Sequence, residues 1–226
     1  MTPSSQTTER KTTESQTAKV KYPRTPHLPW SPGASPDDDL LMDTRHFAGL
    51  EVVVTEKMDG ENTTLYRGGL HARSLETRPH ASRDWVKGLW GRIRFALPDG
   101  WRLCGENLYA RHSLEYPELE GYFYLFSVWN EQNQALNWEE TLEWAHVLEL
   151  PTPRTLYRGI WNERVIQALE VDPKHMEGYV VRLASSFTFP DFKRSLAKWV
   201  RQNHVQTSEH WMHQAIVPNK LKRKGL

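Results

Sequence analysis

The sequence holds one cysteine, almost no net charge and no long apolar run, and each of these absences narrows the class of protein. Cys104 is the only cysteine among 226 residues, so no disulfide can form within the chain. The 29 Lys and Arg residues nearly balance the 28 Asp and Glu residues, so any nucleic-acid surface has to be a local patch. No apolar run approaches the ~20 residues that cross a bilayer, and the polar N-terminus has no apolar signal core. We therefore expect a cytoplasmic protein with no membrane association.

Composition divides the chain into four parts. Residues 1–20 are polar and predict a disordered tail. Residues 21–49 are rich in proline and predict an irregular lead-in that packs on the following domain. From residue 50 the pattern becomes strand-rich, and we predict one domain over residues 50–217. Residues 218–226 form a basic tail that we expect to be frayed.

Hydrophobic periodicity predicts an α+β fold. Strands are predicted at 50–57, 62–66, 70–74, 101–108, 121–130, 177–183 and 196–200. Helices are predicted at 85–97, 137–150, 161–170 and 208–215. Ser82 is the predicted N-cap of the first helix, and Asn137 with Glu140 has capping-box spacing at the start of the second.

The run Glu56-Lys57-Met58-Asp59-Gly60-Glu61-Asn62 is the most informative segment of the chain. A stiff apolar strand precedes Lys57, and Asp59-Gly60 marks a turn directly after it. A solvated lysine has a pKa of about 10.4 and is nearly inert as a nucleophile at neutral pH. A lysine held at a strand end, beside carboxylates and a glycine, therefore suits a covalent nucleophile better than a solvated charge.

Three further charged residues lie at or within apolar strands. They are Glu106, which ends one strand, Glu177, which begins another, and Lys198 inside the last strand. A buried charge without a partner is too costly for a packed core, so such residues converge on a cleft more often than they enter a core. We therefore expect all three to share a site with Lys57.

In their order and spacing these segments resemble the motifs of the covalent nucleotidyltransferase superfamily, which contains DNA and RNA ligases and capping enzymes. Within it the chain is most similar to ATP-dependent RNA ligases related to the phage T4 type 2 enzyme. Lys57-Met58-Asp59-Gly60 matches the K-x-D-G nucleophile motif, and Asn62 adds the G-x-N extension of those RNA ligases. The other matches, within residues 50–201, are Arg73, Leu103-Cys104-Gly105-Glu106, Phe123-Tyr124-Leu125-Phe126, Glu177-Gly178 and Lys198.

The resemblance implies an ATP-grasp-like nucleotidyltransferase domain of antiparallel sheets with flanking helices. It implies no OB domain, because few residues follow Arg201. The implied activity is ATP-dependent joining of RNA with 5′-phosphate and 3′-hydroxyl ends. Lys57 takes AMP from ATP, AMP passes to the 5′-phosphate, and the 3′-hydroxyl then displaces it. The implied cofactors are ATP and Mg²⁺ or Mn²⁺, and an end-healing kinase or phosphatase is an implied partner.

The resemblance also implies a role for each matched side chain. Lys198 holds the α-phosphate, Glu106 binds the ribose, and Glu177 organises the metal and its water. Asp59 either shares the metal or fixes the turn. Phe126 is the expected adenine-stacking residue with Phe123 as the alternative, because alternation places the two on opposite faces of a strand. Further nucleotide contacts are expected from Glu56 and Asn62, and RNA contacts from Arg73, Arg78 and Arg201.

Two departures from the motifs leave alternatives open. Val200 stands where a second lysine is common, and Ser127 follows Phe126 where an aspartate is usual. A ligase of DNA nicks is one alternative, since no residue pattern reads a 2′-hydroxyl. A nucleotide- or RNA-binding module that has lost sealing activity is the other.

Overall fold

Ten strands form two antiparallel sheets in the computed structural model, which describes residues 19–75, 79–202 and 216–223. The first sheet has the order β10-β8-β1-β7. Its strands are β1 (Glu51–Lys57), β7 (Thr155–Ile160), β8 (Gly178–Leu183) and β10 (Leu196–Val200). The second sheet has the order β3-β2-β4-β5-β6-β9. Its strands are β2 (Glu61–Tyr66), β3 (Gly69–Ala72), β4 (Arg102–Asn107), β5 (Phe123–Trp129), β6 (Gln134–Ala135) and β9 (Phe187–Thr188).

Four α-helices flank the sheets in the described part of the chain. They are α1 (Asp84–Ile93), α2 (Trp138–Val147), α3 (Glu163–Gln167) and α4 (Phe192–Ser195). Short 3₁₀ turns cover Arg45–Phe47, Ala81–Arg83, Arg94–Ala96 and Phe189–Asp191. The apolar face of α1 packs on the outer face of the six-stranded sheet, where Val86 and Leu89 meet Leu65, Leu103 and Leu125. No helix in the described ranges is long and apolar enough to cross a membrane.

Side chains alternate along each strand, so that some pack in an outer core and others lie between the two sheets. Val52 and Val54 of β1 join an outer core with Leu28, Phe47 and Ile166. Because successive side chains point to opposite faces, Lys57 lies on the opposite face of β1 from Val52 and Val54, which is the inner face. The same alternation places Lys198 on the inner face, since its neighbours Ala197 and Trp199 belong to the outer core. The two lysines therefore face the six-stranded sheet.

The predicted α+β class with antiparallel sheets is confirmed, and each predicted strand has a counterpart. Strands β6, β7 and β9 were not predicted. β6 and β9 are two residues long, and β7 is an edge strand without a clear apolar alternation, so none carries the period-two signal that predicts a strand. The predicted helix 208–215 lies outside the described residues.

Helix boundaries differ from the predictions in instructive ways. Ser82 is not an N-cap: it lies inside a 3₁₀ turn that His80 caps, and α1 starts two residues later at Asp84. The predicted helix 161–170 shortens to α3. The predicted capping box of α2 is confirmed, since the side chains of Asn137 and Glu140 each accept from the other's backbone N–H.

The lead-in and the C-terminal segment both pack on the domain. Leu28 is fully buried, and its N–H donates to the carbonyl of Lys198 at the edge of β10 (2.8 Å). The expectation of a frayed tail is wrong for residues 218–223. The N–H groups of Lys220 and Lys222 donate to the carbonyls of Tyr116 and Leu119 (2.9 and 2.8 Å). Apart from residues 19 and 20, the predicted disordered tail lies outside the described residues, and the domain boundaries stay predictions.

Candidate nucleotide-binding site

Lys57 ends β1 beside the first residue of β8. It pairs with Gly178, and its Nζ lies 2.5 Å from Oε2 of Glu177, which immediately precedes β8. Gly178 also pairs with Val200 of β10, and a Cβ at this glycine would lie only 2.0 Å from the carbonyl oxygen of Trp199. Glycine is therefore required here, because only a bare backbone lets β10 approach closely enough to bring its lysine near the strand end.

The turn after Lys57 packs directly against β4. The N–H of Gly60 donates to Oε1 of Glu106 (3.2 Å), and a Cβ at Gly60 would meet the carbonyl oxygen of Asn107 at 2.5 Å. This close approach holds Glu106, on the six-stranded sheet, against the turn that follows Lys57. The motif spacing predicted that these residues would meet, and the turn explains how they do.

Asp59 holds a neighbouring loop rather than pointing freely into the cleft. Its Oδ2 accepts from the N–H and hydroxyl of Ser113 (2.8 and 2.6 Å) and from the N–H of Leu114 (2.8 Å). Its own N–H donates to the hydroxyl of Tyr116 (2.9 Å). Of the two roles expected for Asp59, the hydrogen bonds support fixing of the turn, because one carboxylate oxygen already has three donors.

The C-terminal segment fastens the far side of the same loop through Asn219. The Oδ1 of Asn219 accepts from the N–H of Tyr116 (2.9 Å), and its Nδ2 donates to the carbonyl of Leu108 (2.8 Å). The Tyr122 hydroxyl donates to the Asn219 carbonyl (3.0 Å), and the side chain of Asn219 is almost fully buried. A hydrogen-bonded path thus runs from the Lys57 turn through Asp59 to the C-terminal segment, and nothing in the sequence pattern predicted it.

The carboxylates around Lys57 set its protonation. Burial lowers the pKa of Lys57, but the charges of Glu177, Glu106 and Asp59 and the hydrogen bond to Glu177 outweigh it and raise the pKa above its ordinary value. Burial and the same carboxylate neighbours raise the pKa of Glu106 to about 8, against the opposing charge of Lys57. In the free protein Lys57 is therefore a protonated partner of Glu177.

Lys198 has the opposite shift. Burial, followed by the positive charge of Lys57, lowers its pKa to about 8. The pKa of Lys57 is therefore raised and that of Lys198 lowered, whereas a neutral, nucleophilic Lys57 needs a lowered pKa. Any chemistry at Lys57 requires that Glu177 first give up its hydrogen bond to Nζ.

Of the aromatic and amide side chains expected near the nucleotide, Phe126 and Asn62 lie on the inner face and Phe123 does not. Phe123 is fully buried in the outer core under α1, whereas Phe126 packs on the inner side with Tyr22 and Val180. Of the two candidates for stacking, the fold thus brings only Phe126 to the cleft side of the sheet. Asn62 pairs with Glu106 in the β2–β4 ladder, and its buried Oδ1 has no hydrogen-bond partner in the part of the chain that is described.

The other expected contacts are more scattered. Glu56 follows the pleat away from Lys57 and pairs with the exposed Arg154 (3.3 Å), so it does not line the cleft. The N–H of Arg201 donates to the carbonyl of Glu177 (3.0 Å). Arg73 follows β3 with an exposed side chain, and Arg78 lies outside the described residues.

Two residues of the site were not expected from the sequence. Asp38 of the lead-in is almost buried, lies 3.5 Å from Nε2 of His27, and its charge acts on both Lys198 and Arg73. His112 is on the loop that Asp59 holds, where burial lowers its pKa against the charges of Asp59, Glu61 and Glu177. No periodic pattern pointed to a role at the site for either residue, because both reach it through tertiary contacts of irregular segments.

A divalent metal fits this donor set only as a lightly held ion. Within the described ranges, no three His, Cys, Asp or Glu side chains are grouped so that they could hold a metal by themselves. Mg²⁺ usually takes one or two protein carboxylates and keeps several waters, so a site of this kind does not need three protein ligands. Glu177 is the carboxylate best placed for it, since one oxygen of Asp59 is already saturated.

Two antiparallel sheets enclose a strand-end lysine, the carboxylates of Glu106 and Glu177 and a second lysine, which is the arrangement that the resemblance to nucleotidyltransferases implies. A sequence model of the family described as RNA ligase matches residues 50–200. The chain belongs to the RNA ligase family. No curated protein sequence matches the chain significantly.

Solved RNA ligases share the fold. A Naegleria gruberi RNA ligase with pyrophosphate is 22% identical and has a TM-score of 0.53, over 70% of this chain and 51% of the ligase. A variant of that ligase with ATP and Mn is 21% identical, with a TM-score of 0.50 and the same coverage. An archaeal ATP-dependent RNA ligase is 21% identical with a TM-score of 0.55, over 79% of this chain and 48% of the ligase. The chain thus spans about half the length of these ligases, and membership of the phage T4 type 2 group stays a prediction.

Proposed function

We propose that this protein is an ATP-dependent RNA ligase that works through a lysyl-AMP. In the first step Lys57 loses one proton, its neutral Nζ attacks the α-phosphorus of ATP, an N–P bond forms, pyrophosphate leaves, and Nζ loses a second proton to solvent. In the second, a 5′-phosphate oxygen of RNA attacks the same phosphorus and the N–P bond breaks. In the third, a 3′-hydroxyl attacks the 5′-phosphorus of the adenylylated RNA, a phosphodiester forms, and AMP leaves.

The observation that carries this proposal is the position of Lys57 at the end of β1, against Glu177 and on the same sheet face as Lys198, in a chain that matches the RNA ligase family. The register of three neighbouring strands creates this arrangement, since β8 pairs with both β1 and β10. A nucleophile on a rigid strand end is held in place without an ordering cost at each turnover. The similar Naegleria gruberi ligase has been solved with pyrophosphate and with ATP and Mn, which agrees with a nucleotide and a divalent metal as ligands.

We assign the remaining side chains by their place around Lys57. Lys198 would balance the charge that builds on the α-phosphate, and its depressed pKa makes it sensitive to that charge. Glu106 would bind the ribose hydroxyls, and Phe126 would stack on the base. Glu177 would hold Mg²⁺ or Mn²⁺. When bound there, the metal would neutralise phosphate charge and offset the carboxylate that keeps Lys57 protonated.

A second candidate is a nucleotide- or RNA-binding module that does not seal. Val200 favours it, because this residue is fully buried and supplies no cation where related ligases often have a lysine. The 5′-phosphate and 3′-hydroxyl ends that a sealing enzyme needs would come from a reaction of the kinase or phosphatase class, and we propose such an enzyme as a functional partner.

The test is sealing of a nicked duplex with ATP and Mg²⁺, in parallel for an RNA nick and a DNA nick of the same sequence. We expect sealing of the RNA nick by the protein and none by Lys57→Ala. Preference for the DNA nick would identify a DNA ligase instead. Covalent uptake of AMP without sealing of either nick would support the binding module.

A further inference from the structure

The turn after Lys57 rests on Tyr116, which comes from a distant loop. The hydroxyl of Tyr116 accepts from the N–H of Asp59 (2.9 Å), and its ring belongs to the same buried cluster as Met58. Tyr116 itself is only 8% exposed. One buried tyrosine therefore bonds the backbone two residues after Lys57 and shares the core that holds the residue in between.

The C-terminal segment fixes Tyr116 in its turn. The N–H of Tyr116 donates to Oδ1 of Asn219, and its carbonyl accepts from the N–H of Lys220 (both 2.9 Å). Asn219 is only 2% exposed, and its Nδ2 donates to the carbonyl of Leu108 at the start of the same loop (2.8 Å). The match to the RNA ligase family ends at residue 200, so this anchor lies beyond the matched region.

Lys57 has to move before it can react. Its Nζ is held by Glu177 (2.5 Å), and AMP uptake needs that nitrogen in line with the α-phosphorus and the leaving pyrophosphate. A lysine side chain is a flexible four-carbon stem, so its backbone has to supply the fixed point for this move. A misplacement of about 1 Å can cost about a hundredfold in rate. The contacts that hold the backbone after Lys57 therefore bear on the rate of the first step more than on affinity for ATP.

We infer that Tyr116 is a positioning residue for Lys57, and that the C-terminal segment anchors Tyr116 through Asn219. This inference rests on the proposed ligase function and adds two residues to it. The hydroxyl of Tyr116 is engaged by the turn, and both polar atoms of the Asn219 side chain are hydrogen-bonded within the loop. Both residues therefore act through the turn and not by contact with the nucleotide.

Two tyrosine-to-phenylalanine variants form a matched pair for the test. Tyr116→Phe removes the hydroxyl that accepts from Asp59 and keeps the ring in the cluster. Tyr124→Phe is the control, because Tyr124 belongs to the same cluster and is also 8% exposed. Its hydroxyl accepts from the N–H of Glu120 (3.1 Å) instead of from a residue of the turn. Both variants should lose similar stability in urea unfolding, since each leaves one backbone N–H without its acceptor.

The experiment follows formation of the lysyl-AMP in a single turnover with labelled ATP and Mg²⁺. We expect Tyr116→Phe to slow this step about tenfold at saturating ATP, with the half-saturating ATP concentration unchanged. Tyr124→Phe should match the unmodified protein. Asn219→Ala, assayed at a temperature where tryptophan fluorescence shows it folded, should slow the same step.

Equal rates for the two phenylalanine variants would overturn the positioning role, and so would a defect of Tyr116→Phe that saturating ATP removes. A normal rate for folded Asn219→Ala would overturn the anchor. Acylation of Lys57 by a small amine-reactive ester, quantified by peptide mass spectrometry, separates this inference from the proposed function. Tyr116→Phe should acylate faster than Tyr124→Phe, because a displaced turn loosens the contact of Nζ with Glu177. If the unmodified protein takes up no AMP, the ligase proposal fails and acylation decides: a selective rise supports the positioning role, and equal rates refute it.

Discussion

Replacement of Asp59 tests whether its carboxylate holds the neighbouring loop or serves only as a metal ligand. Three donors converge on its Oδ2, and the side chain is only 9% exposed. A hydrogen bond to a charged group contributes about 1.5–3 kcal/mol, and a buried N–H left unpaired costs about 1–3 kcal/mol. The Ser113 hydroxyl can turn to another partner, whereas the N–H groups of Ser113 and Leu114 cannot. We therefore expect Asp59→Ala to lower the free energy of unfolding by roughly 3–5 kcal/mol. Asp59→Asn keeps an acceptor and should lose about 1–2 kcal/mol.

The assay is urea unfolding followed by tryptophan fluorescence in buffer without divalent metal, where a metal ligand has nothing to hold. A fall in the midpoint at constant slope reports lost stability rather than a changed unfolded state. Asp37→Ala, which removes an exposed carboxylate, should change stability by less than about 0.5 kcal/mol. If Asp59 were only a metal ligand, its removal would relieve repulsion with Glu177. An unchanged or higher midpoint for Asp59→Ala would therefore refute the loop-holding role.

Three further predictions test the frame around the site. Gly178→Ala should destabilise the protein by at least ~2 kcal/mol and abolish activity, because the new Cβ would collide with the Trp199 backbone. The control is Gly88→Ala on helix α1, where a Cβ would meet open space. Thermal melts of both variants should show Gly88→Ala as neutral or stabilising. Glu106 has a pKa of about 8 when folded against 4.5 when unfolded, so stability should fall as pH rises between these values, by up to ~1.4 kcal/mol per pH unit. Glu106→Gln should flatten that part of the stability curve in urea titrations at pH 5 to 8, and an identical slope would contradict the shift. Asn219→Ala should lower stability by about 2–4 kcal/mol, because Tyr116 N–H and the Leu108 carbonyl lose buried partners. Limited proteolysis that leaves residues 108–122 as resistant as before would argue against this anchor.

The sequence predicted the parts of the site that lie on regular strands. Lys57 ends one apolar strand and Lys198 lies inside another, so the cost of burying an unpaired charge predicted that both would line a cleft. The sequence also showed Gly178 at the start of a strand. It could not show that a Cβ there would clash with the Trp199 backbone, because that clash depends on how closely β10 approaches.

What the sequence could not predict reaches the site from irregular segments. Residues 20–28 of the lead-in take their course from single hydrogen bonds to Tyr66 and Lys198 that no periodicity encodes. Asn219 is 160 residues away from Asp59 in sequence, and the basic residues around it predicted a frayed tail. The direction of the Lys57 pKa shift could not be predicted from the sequence either. The cations around Lys57 could have lowered its pKa, and only the distance to Glu177 shows that the carboxylates prevail.

The most direct test of the account is to locate AMP on the protein. The chain is incubated with ATP and Mg²⁺, its intact mass is measured, and the adduct is mapped by peptide mass spectrometry under conditions that preserve N–P bonds. The account predicts a single AMP on Lys57, its loss in Lys57→Ala, and no adduct on Lys198. The comparison with Lys198 is informative because its lower pKa gives it the larger neutral fraction in the free protein. Protonation state alone would therefore favour Lys198 as the nucleophile. AMP on Lys198, or no covalent AMP on the unmodified protein, would contradict the central claim.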